Sequence, residues 1–301
     1  MSSGFLFPGQ GGQGLGMLKD VPKEYIEACQ KITGILLEET PLCYEDTVFT
    51  QLALVVKAAF YTDELKKREI YPELVAGHSI GAFAAAYACG VLNLNEMLAL
   101  VYHRASLMKK AYPSGFGMGV IVGLTRSEVE ELVAKTFDEA HPVYVSNENC
   151  PMQQTISGSI QGMEHTLEAA KQYQAQTAKL LKVAVPSHCL LMEDTVEAFA
   201  PFVEHTQLAP PSCTYLKNTD GRATTDKEEI RQDLLNNIAH PVQWNKIMDV
   251  TKELGMKMAI ELPPGKTLTN LYQAKFGEEI RLLNLEQHGM EDTVFLYEKW
   301  R

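Results

Sequence analysis

One short segment, Val75–Gly90, limits the possible folds of this chain more than any other part of the sequence. An apolar run is followed by Gly77-x-Ser79-x-Gly81 and then by an alanine-rich stretch, the strand–turn–helix context of a nucleophile elbow. Glycines on both sides allow a tight turn that presents the serine hydroxyl at a helix N-terminus, where backbone N–H groups can stabilise an oxyanion. The alternative is a chance pair of glycines around a serine. The segment therefore predicts acyl transfer or hydrolysis through an acyl-serine.

Composition narrows the classes of protein to which this chain can belong. With 301 residues, 46% of them hydrophobic, it can bury a large core in one domain or in a domain with an insertion. A net charge of −11 argues against nucleic acid or an anionic membrane as partners. No apolar run approaches the roughly 20 residues of a membrane span, so we expect none. The first residues have no basic region followed by a long apolar one, so we do not expect export. The six cysteines are scattered without a C-x-x-C pair, which favours free thiols in a reducing cytoplasm.

Two patterns of secondary structure divide the chain. Residues 1–117 and 187–301 alternate short apolar strands with amphipathic helices, which favours a mainly parallel sheet covered on both faces. Residues 118–186 follow the order β-α-β-β-α-β, which is the ferredoxin-like arrangement. The strands expected there are 120–123, 143–146, 154–157 and 179–185, and the helices are 125–136 and 161–174. We therefore expect an α/β core with a ferredoxin-like subdomain inserted at 118–186.

A nucleophilic serine needs a base, and His188 is the strongest candidate. It lies in Val185-Pro-Ser-His-Cys189, after a predicted strand and before a predicted helix, where α/β proteins place functional loops. A buried structural histidine is the alternative. His78, inside the elbow, is expected to pack or hydrogen-bond beside the nucleophile. The group that orients His188 stays open at this point, because Glu193, Asp194 or a backbone carbonyl could do so.

Arg104 is the second candidate functional residue. The helix predicted over 94–111 has an inward stripe of apolar residues, and Arg104 borders or enters this stripe. A buried arginine needs a partner, and its planar guanidinium can bind a substrate carboxylate through two hydrogen bonds. A structural salt bridge or an arginine that extends to the surface is the alternative.

Several short motifs then occur in a recognisable order along nearly the whole chain. They are Phe7-Pro-Gly-Gln-Gly11, Gly77-His-Ser-Ile-Gly81, Arg104 with Met108, Asn147-x-Asn-x-Pro-x-Gln153, Pro186-Ser-His-Cys189, Pro241-Val-Gln-Trp244 and Glu261-Leu-Pro-Pro-Gly265. In this order they resemble the malonyl-CoA:acyl-carrier-protein transacylases. The resemblance implies a hydrolase-like α/β core with a ferredoxin-like insertion, in agreement with the pattern of strands and helices.

The resemblance also implies a role for each matching residue. Ser79 resembles the nucleophile and His188 its base, while Arg104 matches the residue that binds the free malonyl carboxylate. The remaining matches are the backbone N–H groups of Gln10 and Ile80 as oxyanion hole, the backbone carbonyl of Asn237 as the group orienting the histidine, and Gln153 and Gln51 as residues lining the acyl pocket. Malonyl-CoA is the implied substrate, with no metal and no permanently bound cofactor. The implied partner is a carrier protein with a phosphopantetheine-type thiol arm.

One departure from the common family pattern bears on the acceptor. Members that serve fatty-acid synthesis usually have glutamate after the second elbow glycine, whereas this chain has Ala82-Phe83. With residues 111–118, this segment is similar to the epsilon subunit of bacterial malonate decarboxylase. We therefore expect malonyl transfer to the carrier subunit of that complex, whose other subunits would be further partners. The alternatives are a transacylase of fatty-acid or polyketide synthesis, a thioesterase and a catalytically silent docking subunit.

Overall fold

Strands and helices alternate along most of the chain. The computed structural model describes residues 2–301. The strands in this range are β1 Ser3–Phe7, β2 Leu74–Gly77, β3 Phe116–Val122, β4 Val143–Cys150, β5 Gln153–Ser159, β6 Thr177–Leu180, β7 Thr214–Leu216, β8 Ala223–Thr224, β9 Met258–Glu261 and β10 Arg281–Asn284. The α-helices are α1 Lys23–Thr33, α2 Thr47–Lys67, α3 Gly81–Ala88, α4 Leu94–Ala111, α5 Arg126–Thr136, α6 Ile160–Gln172, α7 Glu193–His205, α8 Lys227–Asn236, α9 Trp244–Glu253, α10 Thr267–Phe276 and α11 Leu285–Trp300.

The larger sheet has the strand order β10-β9-β1-β2-β7-β8. All neighbours pair in parallel except β8, which runs antiparallel to β7. Alternate side chains enter two separate apolar cores, with Phe5 and Val75 on one face and Leu6 and Leu74 on the other. Because helices cover both faces, the central strands are buried along their whole length and are mostly apolar, as is usual for parallel sheets. The predicted mainly parallel sheet is confirmed.

The smaller sheet is antiparallel and has the order β4-β5-β3-β6. Helices α5 and α6 pack on it around a core of its own that includes Ile121, Val143 and Ile156. This is the strand order of the ferredoxin-like arrangement, so the expected fold class is confirmed. Strand β4 joins the rest of the molecule, because Glu148 N–H donates to the Val242 carbonyl at 3.0 Å. The division of the chain at 117/118 and 186/187 stays a prediction.

Helix boundaries follow the local signals closely, whereas one predicted strand is too long. Helix α4 has the predicted bounds, and Thr125 and Glu128 form the expected capping box at the start of α5. The predicted strand over 179–185 is wrong in extent, because β6 ends at Leu180. Beyond Leu181 the chain leaves the small sheet and turns toward the large one, where His188 N–H donates to the Ile238 carbonyl at 2.7 Å.

Helix α2 passes through the main core and brings one polar side chain to the site described below. Asp46 caps its N-terminus by accepting hydrogen bonds from Val48 and Phe49 N–H, and its first two turns are buried, including Gln51. No helix within residues 2–301 combines the length and the apolar character that a membrane span requires.

Candidate active site

Ser79 lies in the tight turn between β2 and α3, and the backbone strain of this turn is at the serine itself. Its φ is +54°, a left-handed conformation that costs a non-glycine residue about 1–3 kcal/mol. The flanking glycines, Gly77 and Gly81, do not have positive φ and are required for another reason. A Cβ on Gly77 would lie 2.0 Å from the Gly81 carbonyl oxygen, and a Cβ on Gly81 would lie 2.2 Å from the Phe7 carbonyl oxygen. Glycine is therefore required because three backbone segments approach closely at the elbow.

Ser79 and His188 form a hydrogen-bonded pair. The distance from Ser79 Oγ to His188 Nε2 is 2.7 Å, and His188 Nδ1 donates to the Asn237 carbonyl at 2.5 Å. Since a carbonyl oxygen only accepts, Nδ1 carries the proton and Nε2 is free to accept the serine proton. Burial, together with the nearby charge of Arg104, lowers the pKa of His188 to about 3. The imidazole is therefore neutral at neutral pH, as a general base must be.

The orienting group of His188 is a backbone carbonyl rather than an acidic side chain. Glu193 and Asp194 start helix α7, and neither hydrogen-bonds the imidazole. Asn237, the C-cap of α8, supplies the carbonyl instead. His188 does not directly follow a strand of the α/β sheet, because the preceding strand, β6, belongs to the antiparallel sheet and ends at Leu180.

Arg104 is a buried cation without an anion. It is 1% exposed, and none of the salt bridges among residues 2–301 includes it. Its Nη1 donates to Gln51 Oε1 at 2.6 Å, its Nη2 donates to Asn237 Oδ1 at 3.4 Å, and its Nε has no partner. Burial lowers the pKa of Arg104 to about 9, so it is charged at neutral pH. Arg104 therefore neither forms a salt bridge nor extends to the surface. Its positive charge is not balanced by any negative group among the described residues of the site.

A continuous run of contacts joins most of the predicted site residues. From Ser79 it passes through His188 to Asn237, whose side chain meets Arg104, and then through Gln51 to Gln10. The last link is the donation from Gln51 Nε2 to Gln10 Oε1 at 3.4 Å. The side chain of Asn237 has a free donor, Nδ2, in the same place. Ser79, His188 and the buried cation Arg104 thus lie in one polar cluster inside an apolar core.

The two amides predicted to form the oxyanion hole lie beside Ser79. Neither Gln10 N–H nor Ile80 N–H donates to another of the described residues. Gly9 holds the Gln10 loop against the elbow, since a Cβ there would lie 3.0 Å from the His78 carbonyl oxygen and 3.7 Å from Ser79 Cβ. Two free N–H groups near a serine hydroxyl are what an oxyanion hole requires.

Gln153 lies outside this run of contacts. It begins β5 in the small sheet, is half-buried, and pairs with Val122 and Cys150. None of the side-chain hydrogen bonds recorded for residues 2–301 connects it with Ser79, His188 or Arg104. The structure therefore does not bring Gln153 into the cluster, and its role in an acyl pocket stays a prediction.

His78 links the elbow to the small sheet, as its place in the motif suggested. Its Nε2 lies 3.0 Å from Asn149 Oδ1 on β4, and its ring centroid lies 5.5 Å from that of Trp244. Burial lowers the pKa of His78, so this imidazole is neutral as well. The contact fixes the elbow against β4.

Asn218 is a site residue that sequence reasoning missed. Its Oδ1 accepts a hydrogen bond from Ser79 N–H at 2.8 Å. The only available signal was its position just after β7, at the carboxyl edge of the parallel sheet, where functional side chains collect. No pattern in the sequence related it to the elbow, which lies 139 positions away.

The site combines a serine, a neutral base, two free amides and a buried cation. Among residues 2–301, no group of three or more His, Cys, Asp or Glu side chains is arranged to hold a metal ion. These groups suffice for acyl chemistry through the serine on a substrate that also carries an anionic group.

Comparison with known proteins agrees with this chemistry. Residues 4–294 match the family model of the acyl transferase domain. The malonyl CoA-acyl carrier protein transacylase of Haemophilus influenzae is 32% identical over 287 residues, which cover 91% of this chain and 92% of that protein. The chain belongs to the malonyl-CoA:acyl-carrier-protein transacylase family. It is therefore an acyltransferase.

Solved structures of transacylases have the same fold. The malonyl CoA-acyl carrier protein transacylase of Coxiella burnetii superposes with a TM-score of 0.90 at 28% identity, over 99% of this chain and 97% of that one. A malonyl-transacylase solved in complex with its type II polyketide-synthase acyl-carrier protein gives 0.91 at 28% identity, over 99% and 100%. Identity of 28% with near-complete coverage extends the family assignment to both sheets.

Proposed function

We propose that this protein transfers malonyl from malonyl-CoA to the thiol of an acyl carrier protein through a malonyl ester on Ser79. One observation carries the proposal. Arg104 is a fully buried guanidinium whose partners, Gln51 and Asn237, are both neutral, and Asn237 also holds the base. A malonyl group supplies what is missing, since it has a thioester carbonyl at one end and a carboxylate at the other. An acetyl group would leave the cation unpaired.

The first half-reaction forms the acyl-serine. Ser79 Oγ attacks the thioester carbonyl while His188 Nε2 takes its proton. The oxyanion that forms accepts hydrogen bonds from Gln10 and Ile80 N–H, each worth roughly 3–4 kcal/mol in mutational precedents. The Asn237 carbonyl stabilises the imidazolium through Nδ1–H. The C–S bond then breaks, and the departing CoA sulfur takes the proton from His188.

The second half-reaction reverses these roles. The carrier thiol gives its proton to His188 and attacks the malonyl ester carbon, with the same two amides binding the oxyanion. The C–O bond breaks, and the imidazolium returns the proton to Ser79 Oγ. Transfer to a thiol rather than to water requires that the carrier arm displace solvent, and the burial of His188 and Arg104 limits water near the ester.

Arg104 acts as the specificity residue in this scheme. Its free Nε and its Nη groups present a fork that matches a carboxylate. Gln51 positions the fork from α2, and Met108 Sδ lies 3.7 Å from Gln51 Nε2. Gln153, from the small sheet, is proposed to line the acyl pocket because of the family resemblance.

The acceptor is proposed to be an acyl carrier protein of fatty-acid or polyketide synthesis. Relatives with acyl carrier protein transacylase names support this alternative over the expected malonate decarboxylase carrier. So does the likeness to a transacylase solved with a polyketide carrier. The malonate decarboxylase carrier is the second candidate because of Ala82-Phe83. Both side chains are fully buried in the main core.

A transfer assay with three acceptor conditions tests the proposal. The protein is mixed with malonyl-CoA alone, with a holo-acyl carrier protein, or with a malonate decarboxylase carrier bearing its own prosthetic group. We expect rapid malonylation of the holo-acyl carrier protein by mass spectrometry and little CoA release without acceptor. Faster loading of the decarboxylase carrier would reverse the assignment of the acceptor. Rapid formation of free malonate without acceptor would identify a thioesterase instead.

A further inference from the structure

The side-chain amide of Asn218 makes two hydrogen bonds to the backbone of the nucleophile elbow. Its side-chain Oδ1 accepts from Ser79 N–H at 2.8 Å, and its Nδ2 donates to the Gly77 carbonyl at 2.7 Å. Asn218 is fully buried, so both contacts are protected from water. The amide thereby fixes the two peptide planes that flank His78, on the N-terminal side of Ser79. It also occupies the serine's own N–H, which leaves the oxyanion to the amides of Ile80 and Gln10.

Asp233 on α8 holds Asn218 in turn. This carboxylate is 2% exposed and accepts from Asn218 N–H at 3.0 Å. It also accepts from Thr219 N–H and Oγ1, each at 2.9 Å, and from Tyr215 Oη at 2.9 Å. Four donors thus converge on one buried carboxylate, and they all come from the segment Tyr215–Thr219 after and within β7. No step of the proposed reaction uses this carboxylate, although its burial is costly.

The same helix also holds the base. Asn237 follows Asp233 by one helical turn, and its N–H donates to the Asp233 carbonyl at 2.9 Å. The Asn237 carbonyl accepts from His188 Nδ1, and the next carbonyl, that of Ile238, accepts from His188 N–H. The C-terminal turn of α8 is therefore a common support, connected through Asp233 and Asn218 to Ser79 and through Asn237 to His188.

We propose that Asn218 and Asp233 are positioning residues that set Ser79 Oγ against His188 Nε2 and direct the Ile80 amide toward the oxyanion. The need for such a support follows from the backbone, because both Ser79 and His188 have positive φ, at +54° and +65°. A strained conformation persists only where the surroundings fix it. This inference rests on the proposed function, in which Ser79 is the nucleophile.

A purely structural role for this network predicts a different result from positioning. If Asn218 and Asp233 only stabilise the fold, their loss lowers the midpoint of urea unfolding and leaves the chemistry of the folded enzyme unchanged. If they position Ser79, a folded variant binds malonyl-CoA normally but forms the acyl-enzyme slowly. A displacement of the order of 1 Å costs about 10²-fold in rate.

The decisive variant is Asn218→Asp, because it keeps the shape of the side chain. When ionised, the introduced carboxylate cannot donate to the Gly77 carbonyl and lies near the Asp233 carboxylate, so its pKa is raised. Lowering the pH protonates the introduced carboxylate and restores a donor. We expect single-turnover acylation by this variant to rise about tenfold from pH 8 to pH 6, whereas the wild-type rate stays level.

The test measures acylation rate, malonyl-CoA affinity and reaction with phenylmethylsulfonyl fluoride for Asn218→Asp, Asn218→Leu and Asp233→Asn. Asp63→Asn is the matched control, because Asp63 also accepts hydrogen bonds from tyrosines, Tyr25 and Tyr87, away from the elbow. We expect acylation and sulfonylation to fall at least about 30-fold in Asn218→Leu and Asp233→Asn, with affinity within about twofold and the control unaffected.

Two results separate the failure of this inference from that of the function. Wild-type rates in the folded Asn218 and Asp233 variants, or a wild-type pH profile for Asn218→Asp, would overturn the positioning role and leave the transacylase proposal intact. If Asn218→Leu does not fold, the pH profile of Asn218→Asp decides. Sulfonylation or malonylation of the wild type at a residue other than Ser79 would overturn the proposed function, and the positioning role with it.

Discussion

Gln51 Oε1 lies 2.6 Å from Arg104 Nη1 in a part of the molecule that solvent does not reach. A neutral amide thus occupies the place where a buried arginine usually has a carboxylate. The protein keeps a cation desolvated and positioned but not neutralised. In the proposed reaction the substrate supplies the missing charge, so that selection for malonyl and the geometry of transfer depend on the same contact.

Replacing Arg104 by alanine should reduce malonyl transfer far more than acetyl transfer. Removing one partner of a buried ion pair costs about 3–5 kcal/mol, which corresponds to a loss of at least about 10²-fold in kcat/KM for malonyl-CoA. Acetyl-CoA carries no carboxylate, so its kcat/KM should change little. Both substrates are assayed with the same holo-acyl carrier protein. Equal losses on the two substrates would contradict the role of Arg104.

Replacing Gln51 by glutamate should place a carboxylate next to Arg104. This carboxylate would compete with the malonyl carboxylate for the guanidinium. We expect kcat/KM for malonyl-CoA to fall at least about tenfold and the melting temperature to rise, because a paired buried charge is less costly than an unpaired one. Gln51→Met is the matched control, since it removes the hydrogen bond without adding charge. If Gln51→Met lost as much activity as Gln51→Glu, charge competition would not be the cause.

The low pKa of His188 should make folding stability depend on pH in a defined window. The pKa is about 3 in the folded protein and about 6.5 in the unfolded chain, so only the unfolded chain takes up this proton between those values. The stabilisation is complete above pH 6.5 and is lost as the pH falls toward 3. Between pH 7.5 and 5.5 the wild type should lose about 1.4 kcal/mol of unfolding free energy relative to His188→Gln, measured by urea denaturation. Parallel pH dependence of the two proteins would contradict this account.

The elbow glycines should tolerate no side chain. In Gly81→Ala the new Cβ would meet the Phe7 carbonyl oxygen at 2.2 Å, a clash between backbone segments that no side-chain rotation relieves. We expect a loss of several kcal/mol, about 3 or more, or failure to fold. Gly14→Ala is the control, because a Cβ there meets nothing within 4 Å and its φ is not positive. A stable, active Gly81→Ala protein would show that the elbow geometry is wrong.

Local patterns sufficed for the parts of the structure that neighbours in sequence determine. The elbow, helix α4 and the capping box at Thr125 are of this kind, because residues within a few positions of one another determine helical periodicity and helix caps. The same periodicity placed Arg104 at the border of the inward stripe or within it, and the structure buries it completely. Strand β6 was predicted too long because its end is set by the return of the chain to the large sheet, which no local signal records.

The long-range contacts of the site were beyond residue patterns alone. Asn237 entered only through the family resemblance, because a backbone carbonyl has no signature in a sequence. Asp233 lies on a strongly polar helix, where nothing distinguishes a buried carboxylate from its exposed neighbours. Its contact with Asn218 depends on how α8 packs beside β7 in the folded protein.

The acyl-enzyme itself gives the most direct test of the account. The protein is mixed with malonyl-CoA, quenched in acid within the first turnover and digested, and the peptides are examined by mass spectrometry. We predict one malonyl group on the peptide that contains Ser79, none in Ser79→Ala, and disappearance of the adduct when a holo-acyl carrier protein is added before the quench. A malonyl group on another residue, or full transfer activity in Ser79→Ala, would contradict the central claim.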